Sequence, residues 1–361
     1  MVKPLRVLEI ITVPIAENGL ALYPIRMAEK MDARVQIDFL ACYAEPELKT
    51  RIENRGAKLH LAPSRLRSPV LYMRFVEKTV RENGYSIVHA HGNSCTLALD
   101  LIAARRGGAK MRIAHSHNTS CRFRMLNALL RPAFERAYTD ALACGEAAGE
   151  WLFRKRPFEI MPNAIDLSAF KPDAEARESV RREFCADGKR VLLHIGNFSE
   201  AKNPMFLIEI MERLDDPFVL WMVGNGRLRA ETEACARAKG LESRIVFTGA
   251  RGDVPRIMQG ADALLLPSKF EGFPTVALEA QAAGLRTLMS DYVTKKVAFS
   301  ECAAFLPLNA DRWTKCIQNA PETNRAQAAE NAANALAACG YELESATRRL
   351  EEKYLAKANE R

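Results

Sequence analysis

The chain has 361 residues, of which 48% are hydrophobic, and its 52 Lys and Arg against 44 Asp and Glu give a formal net charge of +8. This length suits two domains, and nine singly scattered cysteines with no Cys-x-x-Cys pair exclude a disulfide-stapled fold and favour reduced thiols. No segment approaches the roughly 18 uninterrupted apolar residues of a membrane span, and residues 1–12 are typical of a strand rather than of a secretory signal. We therefore expect a cytoplasmic protein, soluble or peripheral on the inner face of the cell membrane.

Strand-like and helix-like runs alternate along the whole chain. This alternation predicts an α/β protein with two doubly wound parallel sheets. The stretch 171–190 is polar and poor in core residues, so we predict domains at residues 1–170 and 191–340 with a linker between them. Residues 341–361 are predicted to form a last helix.

Two stretches of the amino-terminal half, residues 65–78 and 122–136, mix arginines with large apolar residues at helical spacing. Residues 1–165 as a whole carry 25 Lys and Arg against 16 Asp and Glu. Such stretches suit a helix lying on an anionic membrane surface, and an amphipathic helix packed on its own domain is the alternative. A nucleic-acid partner would need a recognition module, which is not visible, so we expect none.

Five of the six histidines lie in or beside strand-like runs, at His89, His91, His115, His117 and His194. Histidines that alternate along a strand point to one face of the sheet, where they pack or make polar contacts. No Cys pair and no His-Glu helix motif accompanies them, so the ligand set for a metal is poor. We expect no bound metal.

The carboxy-terminal half opens with an apolar strand at 191–195, followed by Gly196 and Lys202. A glycine at such a turn lets the backbone approach a phosphate, and a lysine beyond it can meet a diphosphate as a point charge. A turn glycine and a surface lysine are the plain alternatives. Gly224 and Gly249 follow two later strand-like runs and could serve as turns beside a nucleotide.

A βαβ unit is predicted next. The apolar runs Ala263–Leu266 and Arg286–Ser290 suit strands buried on both faces, with one helix between them. Pro274 fits the first helical position, and Gly284 fits the left-handed position just past the end of the helix.

Two carboxylates, Glu271 and Glu279, lie eight residues apart across the start of that helix. The free N–H groups near Phe273 and Thr275 face the carboxyl edge of the sheet, where an anion is the natural guest. Carboxylates only accept hydrogen bonds, which suits hydroxyl groups and not phosphate. Hydroxyls together with an anion describe a nucleoside diphosphate sugar, and two ordinary surface glutamates are the alternative.

The stretch 261–284, with its Glu-x7-Glu motif, resembles the donor-site signature of the family 4 retaining glycosyltransferases, and within them that of exopolysaccharide and capsule enzymes. The segments 193–203, 222–229 and 245–255 follow in the family's order. The resemblance implies the GT-B fold, in which two Rossmann-like domains face each other across a cleft. It also implies that the last helix crosses back onto the first domain.

The resemblance implies three catalytic residues. His117 would approach the transferred sugar, Lys202 would stabilise the leaving diphosphate, and Glu271 would serve the sugar or the transition state. No cofactor is required beyond the nucleotide-sugar donor, and the loop of Arg251 would line the base pocket through its backbone. The implied contacts with the nucleotide sugar are Gly19, Gly196, Asn197, Lys202, Gly224, Gly249, Arg251, Gly272, Phe273, Pro274, Thr275 and Glu279.

Two positions depart from the family pattern. Asn197 stands where relatives usually carry an arginine, and the loop at 17–19 has one glycine, Gly19, instead of a pair. Asparagine donates a hydrogen bond without charge, so stabilisation of the leaving group would rest more heavily on Lys202 and the helix amides. Either activity is reduced, another basic residue compensates, or the chain has moved away from catalysis.

The function implied by the resemblance is transfer of a sugar from a nucleoside diphosphate sugar, expected to be UDP-linked, to a lipid-linked or oligosaccharide acceptor in exopolysaccharide or capsule biosynthesis. Two alternatives remain open. One is a catalytically weakened sugar-nucleotide-binding partner of a polysaccharide complex, which would hold UDP and turn nothing over. The other is a sugar-nucleotide epimerase of the same fold, which would convert the donor without an acceptor.

Overall fold

The computed structural model describes residues 4–16, 19–121, 123–321 and 324–359. The chain forms two compact units. Unit 1 comprises Met1–Ala164 and Leu343–Arg361, and unit 2 comprises Ile165–Glu342.

Unit 1 contains a parallel sheet of seven strands among the described residues, namely β1 (Leu5–Ile11), β2 (Val35–Ala41), β3 (Leu59–Leu61), β4 (Ile87–Gly92), β5 (Met111–Ser116), β6 (Asp140–Ala143) and β7 (Glu159–Ile160). The strand order is β3-β2-β1-β4-β5-β6-β7. The first six helices of unit 1 within the described residues are α1 (Gly19–Lys30), α2 (Pro46–Glu53), α3 (Pro69–Asn83), α4 (Leu97–Gly107), α5 (Arg124–Glu135) and α6 (Glu146–Phe153).

Both faces of this sheet are buried. Along β1, Val7 and Ile11 join one hydrophobic cluster, whereas Leu8 and Ile10 join another. Successive side chains of a strand point to opposite faces, so the two clusters lie on the two sides of the sheet, as expected for a parallel sheet covered by helices. Glu9 shares the face of Val7 and Ile11.

Unit 2 contains a parallel sheet of six strands within the described part of the chain, namely β8 (Arg190–Ile195), β9 (Phe218–Val223), β10 (Ile245–Gly249), β11 (Ala263–Leu266), β12 (Arg286–Ser290) and β13 (Ala303–Leu306). The strand order is β10-β9-β8-β11-β12-β13. Short 3₁₀ helices cover Leu167–Phe170 and Lys295–Val297, and the α-helices are α7 (Ala174–Glu183), α8 (Pro204–Arg213), α9 (Arg229–Ala238), α10 (Val254–Gly260), α11 (Thr275–Ala282), α12 (Ala310–Gln318) and α13 (Arg325–Ala338). The prediction of two doubly wound parallel sheets is confirmed.

The predicted βαβ unit is present as β11, α11 and β12. One detail differs, because Pro274 is the residue before the helix and not its first helical residue. Gly284 has the expected left-handed backbone, with φ +68°. A Cβ atom there would lie 2.2 Å from the backbone oxygen of Arg325, so the position requires glycine for space as well as for conformation.

The predicted linker at 171–190 is wrong as a description of the structure. Its residues include α7, which packs on α10 within unit 2, and the unit begins at Ile165. Arg177 and Arg181 of α7 both bond the carboxylate of Asp262, at 2.6 and 2.7 Å. The helix buries one hydrophobic side chain, Val180, and its other residues are charged residues, a serine and two alanines, which explains its linker-like sequence.

The last helix, α14 (Leu343–Asn359), belongs to unit 1. Leu343, Ala346, Leu350 and Tyr354 join the hydrophobic cluster that contains Val7. Among the helices of the described residues, α14 included, none combines the length and the apolar character needed to cross a membrane.

Candidate functional site

The strand order of unit 2 reverses direction between β8 and β11. Open parallel sheets bind ligands at the carboxyl ends of the strands beside such a reversal. The loops leaving β8, β9, β10 and β11 carry most of the predicted site residues, so the fold gathers them at one edge of the sheet. These are Gly196, Asn197, Lys202, Gly224, Gly249, Arg251, Glu271, Gly272, Phe273 and Pro274.

Lys202 and Glu271 form an ion pair at this edge. The ammonium donates to Oε2 of Glu271, and Ser268 Oγ lies 3.4 Å from the same oxygen. The side chains are 20% and 17% exposed, so both remain accessible from solvent. The fold thus joins two predicted catalytic residues that are 69 positions apart in the chain.

Backbone contacts hold the loops of this pair in place. The N–H of Lys269 donates to the carbonyl of Ala201 at 2.8 Å, which ties the loop after β11 to the loop after β8. Glu271 also forms a parallel bridge with Val293, beyond the end of β12. The loop geometry therefore does not depend on the ion pair alone.

The N-terminus of α11 lies next to this loop. No side chain caps the helix at Pro274. The N–H of Ala277 donates to the carbonyl of Pro274 at 3.1 Å, which leaves the N–H groups of Thr275 and Val276 for other partners. Glu279 lies one turn into the helix and is 7% exposed. The ring of Phe273 stacks on Tyr341, with centroids 5.4 Å apart, so the side chain of Phe273 is used in packing.

Gly224 is required by the packing of the loops themselves. Its φ is +133°, and a Cβ atom would lie 2.0 Å from the carbonyl oxygen of Gly196. Its N–H donates to the carbonyl of Gly249 at 2.8 Å. The three glycines therefore bring three loops together at the edge of the sheet.

The side chains of Arg251 and Asn197 have different surroundings. The guanidinium of Arg251 bonds Asp253 at 2.8 Å and Glu183 at 3.2 Å, which raises its pKa above the ordinary value. The guanidinium of Arg251 is therefore held by two carboxylates of unit 2. Asn197 is exposed, and Gly272 is exposed in the loop before α11.

Arg229 is a cation at this edge that the sequence did not single out. Its Nη1 bonds Oδ1 of Asn225 at 2.5 Å, and its Nε bonds Glu233 at 2.7 Å. Nη1 of Arg229 would lie 3.2 Å from a Cβ atom on Gly249. The signal was its position at the end of the family-like segment 222–229.

His194 of β8 was not predicted as a site residue. A Cβ atom on Gly196 would lie 3.5 Å from its Nε2 and 3.5 Å from the side chain of Lys202. The ring of His194 donates from Nδ1 to the carbonyl of Leu265 at 2.9 Å, and Nε2 is buried without a hydrogen-bond partner. Burial lowers the pKa of His194 to about 4, with a smaller contribution from the charge of Lys202. A neutral imidazole thus lies beside the ammonium group.

In unit 1, four histidines gather on one face of the sheet. His89 and His91 lie in β4, His115 lies at the end of β5, and His117 directly follows β5. The expectation that alternating histidines share one face is confirmed, since the His89 and His91 rings stack with centroids 4.2 Å apart. Tyr23 of α1 contacts the His117 ring edge to face at 5.6 Å.

Glu9 of β1 accepts hydrogen bonds at the centre of this cluster. Its Oε2 lies 2.5 Å from Nε2 of His91, and Tyr354 of α14 donates to its Oε1 at 2.8 Å. Nδ1 of His91 lies 2.8 Å from Nε2 of His117, whose Nδ1 lies 3.1 Å from the side-chain oxygen of Asn163. The signal for Glu9 was a carboxylate inside an otherwise apolar strand.

His89, His91 and His115 each bring a possible ligand atom within 4.8 Å of the others. Ring nitrogens of all three histidines also take part in hydrogen bonds, since Nε2 of His89 lies 3.1 Å from Nδ1 of His115 and Nε2 of His91 lies 2.5 Å from Oε2 of Glu9. We therefore assign the cluster to hydrogen bonding.

Gly19 is the first residue of α1 in unit 1, and the two residues before it in the predicted donor loop lie outside the described residues. A Cβ atom on Gly19 would meet nothing within 4 Å. Space alone does not require a glycine there.

Two family models match the chain. "Glycosyltransferase Family 4" matches residues 17–169 and "Glycosyl transferases group 1" matches residues 176–301. A putative glycosyltransferase of Bacillus subtilis, EpsF, is 35% identical over 300 residues, which cover 78% of each chain. The chain is therefore a glycosyltransferase and belongs to glycosyltransferase family 4.

One further relative and one solved structure are also similar to the chain. The Escherichia coli UDP-Gal:alpha-D-GlcNAc-diphosphoundecaprenol alpha-1,3-galactosyltransferase is 27% identical over 238 residues, covering 59% of this chain and 60% of that one. The crystal structure of Anabaena Alr3699/HepE in complex with UDP-glucose is 17% identical, with a TM-score of 0.80 over 97% of this chain and 99% of that one. This structural likeness shows the fold, which is GT-B.

Proposed function

We propose that the protein transfers a glycosyl group from a UDP-linked sugar to a lipid-linked or oligosaccharide acceptor in exopolysaccharide or capsule biosynthesis, with retention of anomeric configuration. The observation that carries the proposal is the ion pair of Lys202 and Glu271 beside the uncapped N-terminus of α11. The UDP-Gal and diphosphoundecaprenol in the name of the Escherichia coli relative support the donor and the lipid-linked acceptor.

The ion pair supports a division of labour between the two parts of the donor. Each group neutralises the other without ligand, and both side chains are partly exposed. A diphosphate can therefore compete for the ammonium of Lys202 while solvent screens the charge that remains on Glu271. Glu271 then accepts hydrogen bonds from hydroxyl groups of the sugar, since a carboxylate has no donor for phosphate. Donor binding in this proposal exchanges one ion pair for another.

The first turn of α11 supplies further donors to the diphosphate. Its free N–H groups near Thr275 and the positive end of the helix dipole both favour an anion. Glu279, one turn further along the helix, accepts hydrogen bonds from the hydroxyl groups of the nucleoside. The amides and Lys202 together replace the arginine that Asn197 does not provide.

Catalysis in this proposal uses a transition state with oxocarbenium character, with no carboxylate nucleophile at the anomeric carbon. Lys202 and the α11 amides stabilise charge as it develops on the leaving diphosphate, which helps to accept the proton of the acceptor hydroxyl. His117 contacts the transferred sugar. Retention is checked by assigning the anomeric configuration of the product by NMR.

The lipid-linked acceptor would be met at an anionic membrane surface through α5. Met125 and Leu129, one turn apart on this helix, are 89% and 76% exposed, and Arg124 beside them is exposed. Arg131 of the same stretch is buried and donates to the carbonyl of Leu152, so it is not available to lipid headgroups. Exposed apolar side chains next to a cation suit insertion into an anionic interface.

Co-sedimentation with vesicles tests this contact. We expect the protein to bind vesicles that contain phosphatidylglycerol and to bind phosphatidylcholine vesicles more weakly. The double variant Met125→Glu/Leu129→Glu should bind neither kind of vesicle. The matched control is Leu61→Glu, an exposed leucine on β3. Equal binding by all three proteins would contradict the membrane contact.

The donor is tested by measuring binding and slow hydrolysis of UDP, GDP, ADP and dTDP sugars by the purified protein, with and without chelator. We expect saturable, chelator-insensitive binding of a UDP sugar with release of UDP. Conversion of the donor to its epimer without an acceptor would identify an epimerase instead. Binding of UDP without any turnover would identify a weakened partner protein.

A further inference from the structure

Glu9 sets the direction of the hydrogen bonds in the histidine cluster of unit 1. The residue is buried, and at neutral pH its carboxylate only accepts hydrogen bonds. Burial alone would raise the pKa of Glu9, but His89 and His91 outweigh it and lower the pKa below the ordinary value. His91 must therefore present a protonated Nε2 to the carboxylate, 2.5 Å away.

The direction of this hydrogen bond also fixes the direction of the hydrogen bond between His91 and His117. A neutral imidazole has one donor and one acceptor nitrogen, so a His91 ring that donates from Nε2 accepts at Nδ1. The partner of Nδ1 is Nε2 of His117, 2.8 Å away, which must then carry the proton. Nδ1 of His117 keeps its lone pair, and Asn163 can turn the nitrogen of its carboxamide toward it.

The second oxygen of Glu9 orders a separate branch. Tyr354 donates to Oε1 and accepts from Nδ1 of His89 at 2.7 Å. Nε2 of His89 then accepts from Nδ1 of His115 at 3.1 Å, and Nε2 of His115 ends this branch buried without a partner. Every ring therefore donates back toward the carboxylate.

The neutral state of His91 and His117 agrees with their surroundings. Burial lowers the pKa of His91 to about 4, with a further lowering by His89 and an opposing effect of Glu9. Burial and then His91 hold the pKa of His117 well below its ordinary value. The titratable groups around these two rings are Glu9 on β1, Tyr23 on α1, His89 on β4, His115 on β5 and Tyr354 on α14, with Cys144 and Arg349 beside Tyr23.

The two branches end in different places. His89, His91 and His115 are at most 1% exposed, whereas His117 is partly exposed. The branch through His91 thus links a buried carboxylate to the one histidine of the cluster that a substrate can reach.

We propose that Glu9 and His91 are positioning residues of the transferase, which hold His117 as the Nε2–H tautomer. Nδ1 is then an acceptor that Asn163, 3.1 Å away, occupies without ligand and yields to a hydroxyl group of the transferred sugar. This inference rests on the proposed function only in assigning His117 to the sugar. Removing the group that hydrogen-bonds the second ring nitrogen of a metal-bound histidine lowers metal affinity or activity by about 10- to 100-fold. We expect a loss of activity in the same range here.

The tautomer is measured directly by NMR on the full chain with ¹⁵N-labelled histidine, with the His117 signals assigned by their loss in His117→Asn. We expect a protonated Nε2 and an unprotonated Nδ1 at pH 7. In Glu9→Gln the amide can donate as well as accept, so we expect His117 to become a mixture of tautomers. Unchanged His117 nitrogen shifts in Glu9→Gln would overturn the proposal.

Kinetics separate positioning from a general loss of structure. We expect Glu9→Gln to lower kcat by about 10- to 100-fold with the KM for donor within about twofold. The matched control is Tyr354→Phe, which removes a hydrogen bond from the same carboxylate but leaves the branch to His117 in place. It should keep the His117 tautomer and keep kcat within about twofold.

A second variant covers failure of Glu9→Gln to fold. His91→Asn keeps an amide near the position of Nδ1 but cannot reach Glu9, and we expect it to mix the His117 tautomers and lower kcat in the same way. A folded His91→Asn with wild-type shifts and kcat would overturn the proposal.

The two proposals fail in different ways. If His117→Ala keeps full activity, the assignment of His117 to the sugar fails, while the nitrogen shifts still decide whether Glu9 sets its tautomer. If His117→Ala loses activity but Glu9→Gln changes neither the shifts nor kcat, the proposed function stands and the positioning role is overturned.

Discussion

In unit 2, Lys202 and Glu271 neutralise each other at the open edge of a sheet, with 20% and 17% of their side chains exposed. In unit 1, Glu9 and His91 are paired inside the molecule, with 3% and 1% exposed. An exposed pair can exchange partners with a charged ligand at small cost, whereas a buried pair is strongly destabilised when either member is lost. The comparison favours the two proposals, in which the edge of unit 2 exchanges its ion pair with a ligand and the histidine face of unit 1 holds a fixed orientation.

The largest effect on activity is expected for Lys202→Ala. If the ammonium leaves Glu271 for the diphosphate, its removal should weaken UDP binding by about 10- to 150-fold, as for a hydrogen bond to a charged group, and lower turnover as well. Calorimetry with UDP and steady-state kinetics check this. Lys269→Ala, an exposed lysine in the loop after β11, is the control, and unchanged UDP affinity in Lys202→Ala would remove the diphosphate role.

Glu271→Gln should lower kcat by about 100-fold and leave the affinity for UDP equal or higher. The reason is that Lys202 no longer has to leave a carboxylate before it meets the diphosphate. Glu200→Gln, which changes an exposed glutamate of the loop after β8, should keep wild-type values. Equal loss of UDP affinity and turnover in Glu271→Gln would contradict the exchange.

Acid should destabilise unit 1 before unit 2. His60, His91, His115 and His117 in unit 1 and His194 in unit 2 have pKa values lowered by burial. Below the unfolded-state value of 6.5 the unfolded chain takes up protons that the folded chain excludes, so stability falls as the pH drops from 6.5 toward about 4.

Hydrogen exchange read by mass spectrometry shows how much stability each unit loses. The rates are corrected for the intrinsic pH dependence of amide exchange. We expect peptides of β4 and β5 to lose protection before peptides of β8 and β11 between pH 7 and pH 5. Earlier loss in unit 2 would contradict the contrast between the two regions.

The smallest effect on activity is expected for Gly284→Ala, which acts on stability. A left-handed alanine costs about 1 to 2 kcal/mol, and the contact with Arg325 adds overpacking, for a total of about 2 to 5 kcal/mol. Gly56 in unit 1 is also left-handed, with φ +77°, but nothing lies within 4 Å of its Cβ position. Denaturant unfolding should therefore show a smaller loss of stability in Gly56→Ala than in Gly284→Ala. Equal losses of stability would mean that the backbone at Arg325 moves aside at no energetic cost.

The βαβ unit around α11 could be predicted because its signals are local. Apolar runs mark β11 and β12, and Gly284 stops the helix within a few residues of its last turn. The shared face of the histidines follows in the same way from the two-residue period of a strand. These features need no knowledge of which strands are neighbours.

The pairings across the sheet could not be predicted. The contact of Glu9 with His91 exists because β1 and β4 are adjacent, an order that the sequence does not state. The ion pair of Lys202 and Glu271 likewise depends on the adjacency of β8 and β11. The sequence of α7 resembles a linker because charged contacts with Asp262, rather than an apolar stripe, hold the helix in unit 2.

A crystal structure of the protein with UDP tests the central claim most directly. We predict that the ammonium of Lys202 leaves Glu271 and lies within hydrogen-bond distance of a phosphate oxygen, with the diphosphate at the first turn of α11. UDP bound elsewhere, or bound there with Lys202 still paired to Glu271, would contradict the account.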